Sequence, residues 1–113
     1  MNAETKVSIK EFPLKANSAL KIVRDLAENH TGSVRFSLHA KERMLERRVS
    51  NKQVFDVLKS CRSYVTEHPS QTPKGSWKFT MLGFSSGDVI ELVIDLRRPE
   101  HDPAAYLVTV IIQ

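Results

Sequence analysis

Trp77-Lys-Phe-Thr-Met-Leu-Gly-Phe84, Ser85-Ser-Gly-Asp88 and Val89-Ile-Glu-Leu-Val-Ile-Asp-Leu96 run on without a break. They read as two strands joined by a tight turn. In the second, Ile90, Leu92, Ile94 and Leu96 alternate with Val89, Glu91, Val93 and Asp95, the period of two that sends neighbours to opposite faces of a sheet. One face is wholly apolar and is expected to pack on helices; the other is half polar and free to meet water or a ligand. Trp77, Phe79 and Met81 share a face of the preceding strand and are expected in the core. Lys78 and Thr80 point the other way, to solvent. Gly87 in the link marks a hairpin, so the two strands are antiparallel.

Working outward from that hairpin, Ser63 to Glu67 reads as a strand before it, separated by a turn-rich link from Pro69 to Gly75. After it, a polar loop with Pro99 and Pro103 leads to a last strand from Tyr106 to Ile112. Upstream the period becomes helical. Ser50 and Gln53 form a capping-box pattern for a helix over about 51–60, with Val54, Val57 and Leu58 as its buried stripe. Ser37 is a good N-cap for a helix from Leu38 to about Arg47. Val34-Arg35-Phe36 reads as a short extended link. From Pro13 to about Asn29, Leu14, Ala19, Leu20, Val23, Leu26 and Ala27 recur at helical spacing, with Pro13 in the first turn and Gly32 as the stop. The expected fold is α+β: two to three N-terminal helices packed on one face of a four-stranded antiparallel sheet. Residues 1–33 form an N-terminal extension with an amphipathic helix and residues 34–113 the α+β domain, one compact unit overall.

The bulk composition fits a single core: 113 residues, 41% hydrophobic and 27% charged. The net charge of +4 is unevenly spread. Residues 35–62 hold eight Lys or Arg against Glu42, Glu46 and Asp56, so this stretch carries more than the whole net charge. Local basic density of this kind suits a phosphate backbone, and equally a solvated helical face. Cys61 is the only cysteine, which leaves no internal disulfide and suits a reducing compartment. The first ten residues are mixed and charged, unlike a signal peptide, and no apolar run approaches the ~20 residues of a membrane helix. The expectation is a cytoplasmic chain with no membrane contact.

Inside the basic stretch, His39, Arg43 and Arg47 are spaced by four. On a helix they fall within an arc of roughly 80° and span about 12 Å. Arginine presents a planar fork that matches phosphate oxygens, and histidine can move a proton near neutrality. Cleavage of RNA by its own 2′-hydroxyl needs a base, an acid and cations for the developing charge, and one His with two Arg could supply most of that. The same residues would also serve a structural role, with both arginines paired to sheet carboxylates such as Glu91 or Asp95.

The run His39-Ala40-x-x-Arg43-Met44-x-Glu46-Arg47-x-Val49-Ser50, with the stripe Asp56-Val57-Leu58 and the strand Val108-Thr109-Val110, resembles the small bacterial family called domain of unknown function 4258. The resemblance covers roughly Phe36 to Ile112. That family is grouped with RelE-like and BrnT-like toxins, and the resemblance implies a RelE-like fold and a toxin-like, metal-independent RNA endonuclease paired with an antitoxin protein. It carries His39, Arg43, Arg47 and Thr109 over as catalytic candidates. Lys41, Arg48, Lys78 and Arg97 are the candidate contacts to nucleic acid; Arg97 and Arg98 could equally pair with Glu100 or Asp102. The alternative function is a non-catalytic module that binds RNA, DNA or a protein through the same basic helix. A homodimer through the apolar face of the first helix is a further reading. His68 and His101, read as loop residues beside prolines, lack zinc-ligand spacing together with Cys61, so no metal and no cofactor are expected.

Overall fold

The structure is a computed structural model that describes residues 13–97 and the backbone of residues 107–111. Three helices, α1 (Ala16–Asn29), α2 (Leu38–Arg47) and α3 (Asn51–Lys59), accompany five strands: β1 (Val34–Phe36), β2 (Tyr64–Gln71), β3 (Trp77–Ser85), β4 (Asp88–Arg97) and β5 (Leu107–Ile111). The class is α+β. The expected loop at Pro99 and Pro103, Arg98, His101 and the ends of the expected last strand lie outside the described residues.

The sheet is wider and more mixed than four antiparallel strands. Its order is β1-β5-β4-β3-β2. Antiparallel pairs join β2 to β3, β3 to β4 and β4 to β5, while β1 adds a parallel edge beside β5. Val34-Arg35-Phe36, read from sequence as a link, is therefore a strand. Three residues are too few to show a period, and their partner lies more than seventy positions downstream. At the opposite edge β2 runs past Glu67 through His68 and Pro69 to Gln71. The register slips on both sides of Glu67, and a bulged edge strand tolerates a proline that has no N–H to give.

The hairpin forms as its sequence dictates. Ser86 and Gly87 both have positive φ, 54° and 82°, between the paired Ser85 and Asp88, as a two-residue turn matched to strand twist requires. Trp77, Phe79, Met81, Ile90, Leu92, Ile94 and Leu96 are all buried, and they share one core with Ile22, Val23 and Leu26 of α1 and Val54, Val57 and Leu58 of α3. The apolar face of α1 is thus spent inside its own chain, which removes the surface on which a homodimer through that helix would rest. Helix α1 begins at Ala16 after the extended Lys15, so Pro13 stands outside its first turn. It ends at Asn29 with His30 as cap at φ −141°, and Gly32 lies beyond, in a short 3-10 turn. No described helix is long and apolar enough to cross a membrane.

Two contacts fix how α3 lies on the sheet. The Ser50–Gln53 capping box is present, and the same Gln53 amide donates to the Ser85 carbonyl at 3.2 Å and to Asp88 Oδ2 at 2.9 Å. The N-terminus of α3 is thereby tied to the hairpin turn. Further along, Gly83 faces Val57 and Ser63, and a Cβ there would lie 2.8 Å from Val57 Cγ1 and 2.5 Å from Ser63 Oγ. Glycine at this point lets the helix approach the strand.

Candidate nucleic-acid interface

Helix α2 carries most of the candidate residues, and its ends are sharply defined. The Ser37 hydroxyl accepts from the Ala40 N–H at 2.9 Å. At the other end the Val49 N–H donates to the Met44 carbonyl, and the Arg48 N–H to Leu45, with Arg48 in the left-handed region at φ 56°, ψ 41°. This is a Schellman closure with arginine in the place usually given to glycine. Ala40 and Met44 turn into the core, and α2 packs against β5.

The row His39, Arg43, Arg47 runs beside that buried stripe and faces solvent. The His39 side chain is 56% exposed and that of Arg43 39%. Arg43 Nε donates to His39 Nε2 at 3.3 Å, and its Nη1 reaches Glu46 Oε1 at 3.1 Å. His39 Nδ1 lies 4.0 Å from Glu42 Oε1. An imidazole that accepts at Nε2 carries its proton on Nδ1, here the side toward Glu42. The helix therefore holds its own charges in a chain Glu42–His39–Arg43–Glu46, and neither arginine is bonded to Glu91 or Asp95. Arg47 has no hydrogen-bond or ion-pair partner among the described residues.

The other candidates are dispersed. Lys41 lies on the outer side of α2 and Arg48 at its closing turn, both exposed. Lys78 and Arg97 are exposed on the open face of the sheet, opposite the one that packs on the helices. Thr109 pairs in register with Arg35 of β1 and Asp95 of β4; its side chain lies outside the described residues. Thr80 is buried at 4% exposure rather than solvated, and its hydroxyl donates to Glu67.

The open face also holds a cavity of about 310 Å³ lined by Glu67, His68, Ser70, Lys78, Thr80 and Val93, together with Phe79. Of these only Lys78 stands out in the sequence. His68 is a strand residue, brought to the cavity by the irregular stretch of β2. Pro69 beside it suggests a loop, and the sequence holds no signal for a bulge. Nearby, Asp95 Oδ1 is buried without a hydrogen-bond partner among the described residues. Among the described residues no three His, Cys, Asp or Glu side chains are grouped to hold a metal ion.

No curated protein and no solved structure matches the chain. Residues 36–112 match the family described as Domain of unknown function (DUF4258), and that stretch takes in α2, its exposed His–Arg row and every strand but the first two residues of β1. With well over half of its length matched, the chain belongs to that family.

Proposed function

We propose that the protein is a toxin-like, metal-independent RNA endonuclease with a RelE-like arrangement, acting in the cytoplasm and neutralised by an antitoxin partner. One observation carries this reading: an exposed imidazole lies 3.3 Å from an exposed guanidinium, with Arg47, which has no partner among the described residues, one turn further on. A phosphodiester that competes with Glu46 for Arg43 draws the guanidinium away and frees His39 Nε2 as a base. Nε2 then takes the proton of the ribose 2′-hydroxyl. The 2′-oxygen attacks phosphorus, the 5′-oxygen leaves with a proton from water, and Arg43 and Arg47 hold the non-bridging oxygens as charge builds on them. The products are a 2′,3′-cyclic phosphate and a 5′-hydroxyl end. An acidic antitoxin segment would cover the same basic row.

The free geometry also favours a second reading, a binding module without chemistry, because Arg43 occupies His39 Nε2. Incubation of the purified protein with RNA in the presence of a chelator separates the two. The expected result is 5′-hydroxyl fragments, with a rate lowered roughly 10²-fold or more in His39→Ala. RNA binding that weakens with salt but yields no fragments would leave the binding module. Cleavage by His39→Ala at the wild-type rate would remove His39 from the mechanism.

A further inference from the structure

Helix α2 has a third side that neither the core nor the His–Arg row uses. Leu38 and Leu45 are the most exposed large apolar residues described, at 76% and 82%. They stand seven residues apart and so share one face, with Lys41 and Glu42 between them. Lys41 has no ion-pair partner among the described residues, and the contact of Glu42 with His39 is a distant 4.0 Å. Two leucines held in water at either end of a Lys–Glu pair are a costly surface to leave uncovered.

The order of these four residues has a symmetry. When two copies of α2 lie antiparallel about a two-fold axis between Lys41 and Glu42, Leu38 of each copy meets Leu45 of the other. In the same register Lys41 of each meets Glu42 of the other. Every exposed group on the face then finds a complementary one, with no like charges opposed. In a closed two-fold pair, each contact made by one residue is returned by its mate, so the helix fits itself without any further surface. A parallel arrangement would instead set Lys41 against Lys41 and Glu42 against Glu42.

We propose that this face is the interface of a homodimer, formed by antiparallel packing of α2 on a second copy of the chain. The occupant is a second copy rather than an unrelated partner because the charge order is self-complementary. The interface leaves His39 and Arg43 themselves uncovered and borders that row at Glu42, and dimerisation is read by mass, separately from the proposed RNA chemistry. It presents two His–Arg rows running in opposite directions. Two ten-residue helices make a small contact, and the dimer is expected to exchange with monomer.

Sedimentation equilibrium of the full chain over a concentration series tests this, with circular dichroism to check that each variant is folded. The wild type is expected to dimerise, and Leu45→Glu to be monomeric throughout. Lys41→Glu and Glu42→Lys should each weaken the dimer about tenfold or more, since each sets like charges together, and the double variant should restore it. A wild type that stays monomeric at millimolar concentration overturns the proposal. So does a dimer that Leu45→Glu leaves intact, or one that the single charge reversals weaken and the double variant does not rescue.

Discussion

At Arg48 the backbone has the left-handed conformation, φ 56°, that an L side chain adopts at a cost of about 1 kcal/mol or more. Glycine there closes the Schellman turn without that cost. Arg48→Gly is therefore expected to raise stability by about 1 kcal/mol, read as a higher urea midpoint with an unchanged slope. The same variant removes one candidate phosphate contact and should weaken RNA binding, so the measured pair would show whether the turn keeps a strained arginine for its charge. A fall in stability would mean that the Arg48 side chain makes a contribution larger than its backbone strain. His39, Arg43 and Arg47 were legible as a shared helix face from spacing alone. What spacing left open was the partner of each charge, because Glu42, Glu46, Glu91 and Asp95 were all within conceivable reach. For His39 and Arg43 the rotamers settle it in favour of Glu42 and Glu46, the neighbours on the same helix, while Arg47 has no partner among the described residues.

Among the elements, α3 and β3 depend on each other most closely. Across Gly83 the strands β3 and β4 stay paired without a slip. The role of Gly83 is the close approach of α3. Ser63 cannot easily yield, since its hydroxyl donates to the Val57 carbonyl at 2.6 Å. Gly83→Ala is expected to cost about 2–3 kcal/mol by pushing α3 from the sheet, measured as a lower melting temperature. Combined with Val57→Ala the two losses should be less than additive, because the second change opens the space the first needs. Full additivity would show that the methyl is accommodated elsewhere. The capping box, the hairpin turn and the alternation of β4 were all visible in sequence because each is set by residues within about four positions of one another. β1 and the full extent of β2 were not, since an edge strand is defined by its partner.

Over the whole molecule, the α3–hairpin junction makes stability depend on acid. The Ser85 hydroxyl donates to Asp56 Oδ2 at 2.9 Å and Lys52 lies 3.3 Å from the same oxygen. The hydrogen bond from Ser85, followed by that from Lys52, holds the Asp56 carboxyl below the usual carboxylate range. A carboxyl with a depressed folded pKa takes up its proton first in the unfolded chain as pH falls, so the unfolded state gains. The contribution is present above about pH 4 and is lost as pH drops through the lower folded value. Ser85→Ala should lower the urea midpoint at pH 6, and the gap from wild type should narrow toward pH 3. A gap of the same size at both pH values would rule out the link to Asp56 ionisation.

The α+β class, the helices, the hairpin, the core face of β3 and β4, and the concentration of basic charge on α2 were legible in the chain. Local hydrogen bonding and the burial of alternating side chains decide those features, and both are written in neighbouring residues. Tertiary pairing set the five-stranded sheet with its parallel edge and the bulge of β2 around Glu67. It also brought Glu67 and His68 to a cavity beside Lys78 on the open sheet face. Those outcomes depend on which distant strands pair and on which face each side chain then points from, and neither is specified within a few residues of chain. In the folded protein His39 and Arg43 of the basic helix are paired with Glu42 and Glu46 along its own surface.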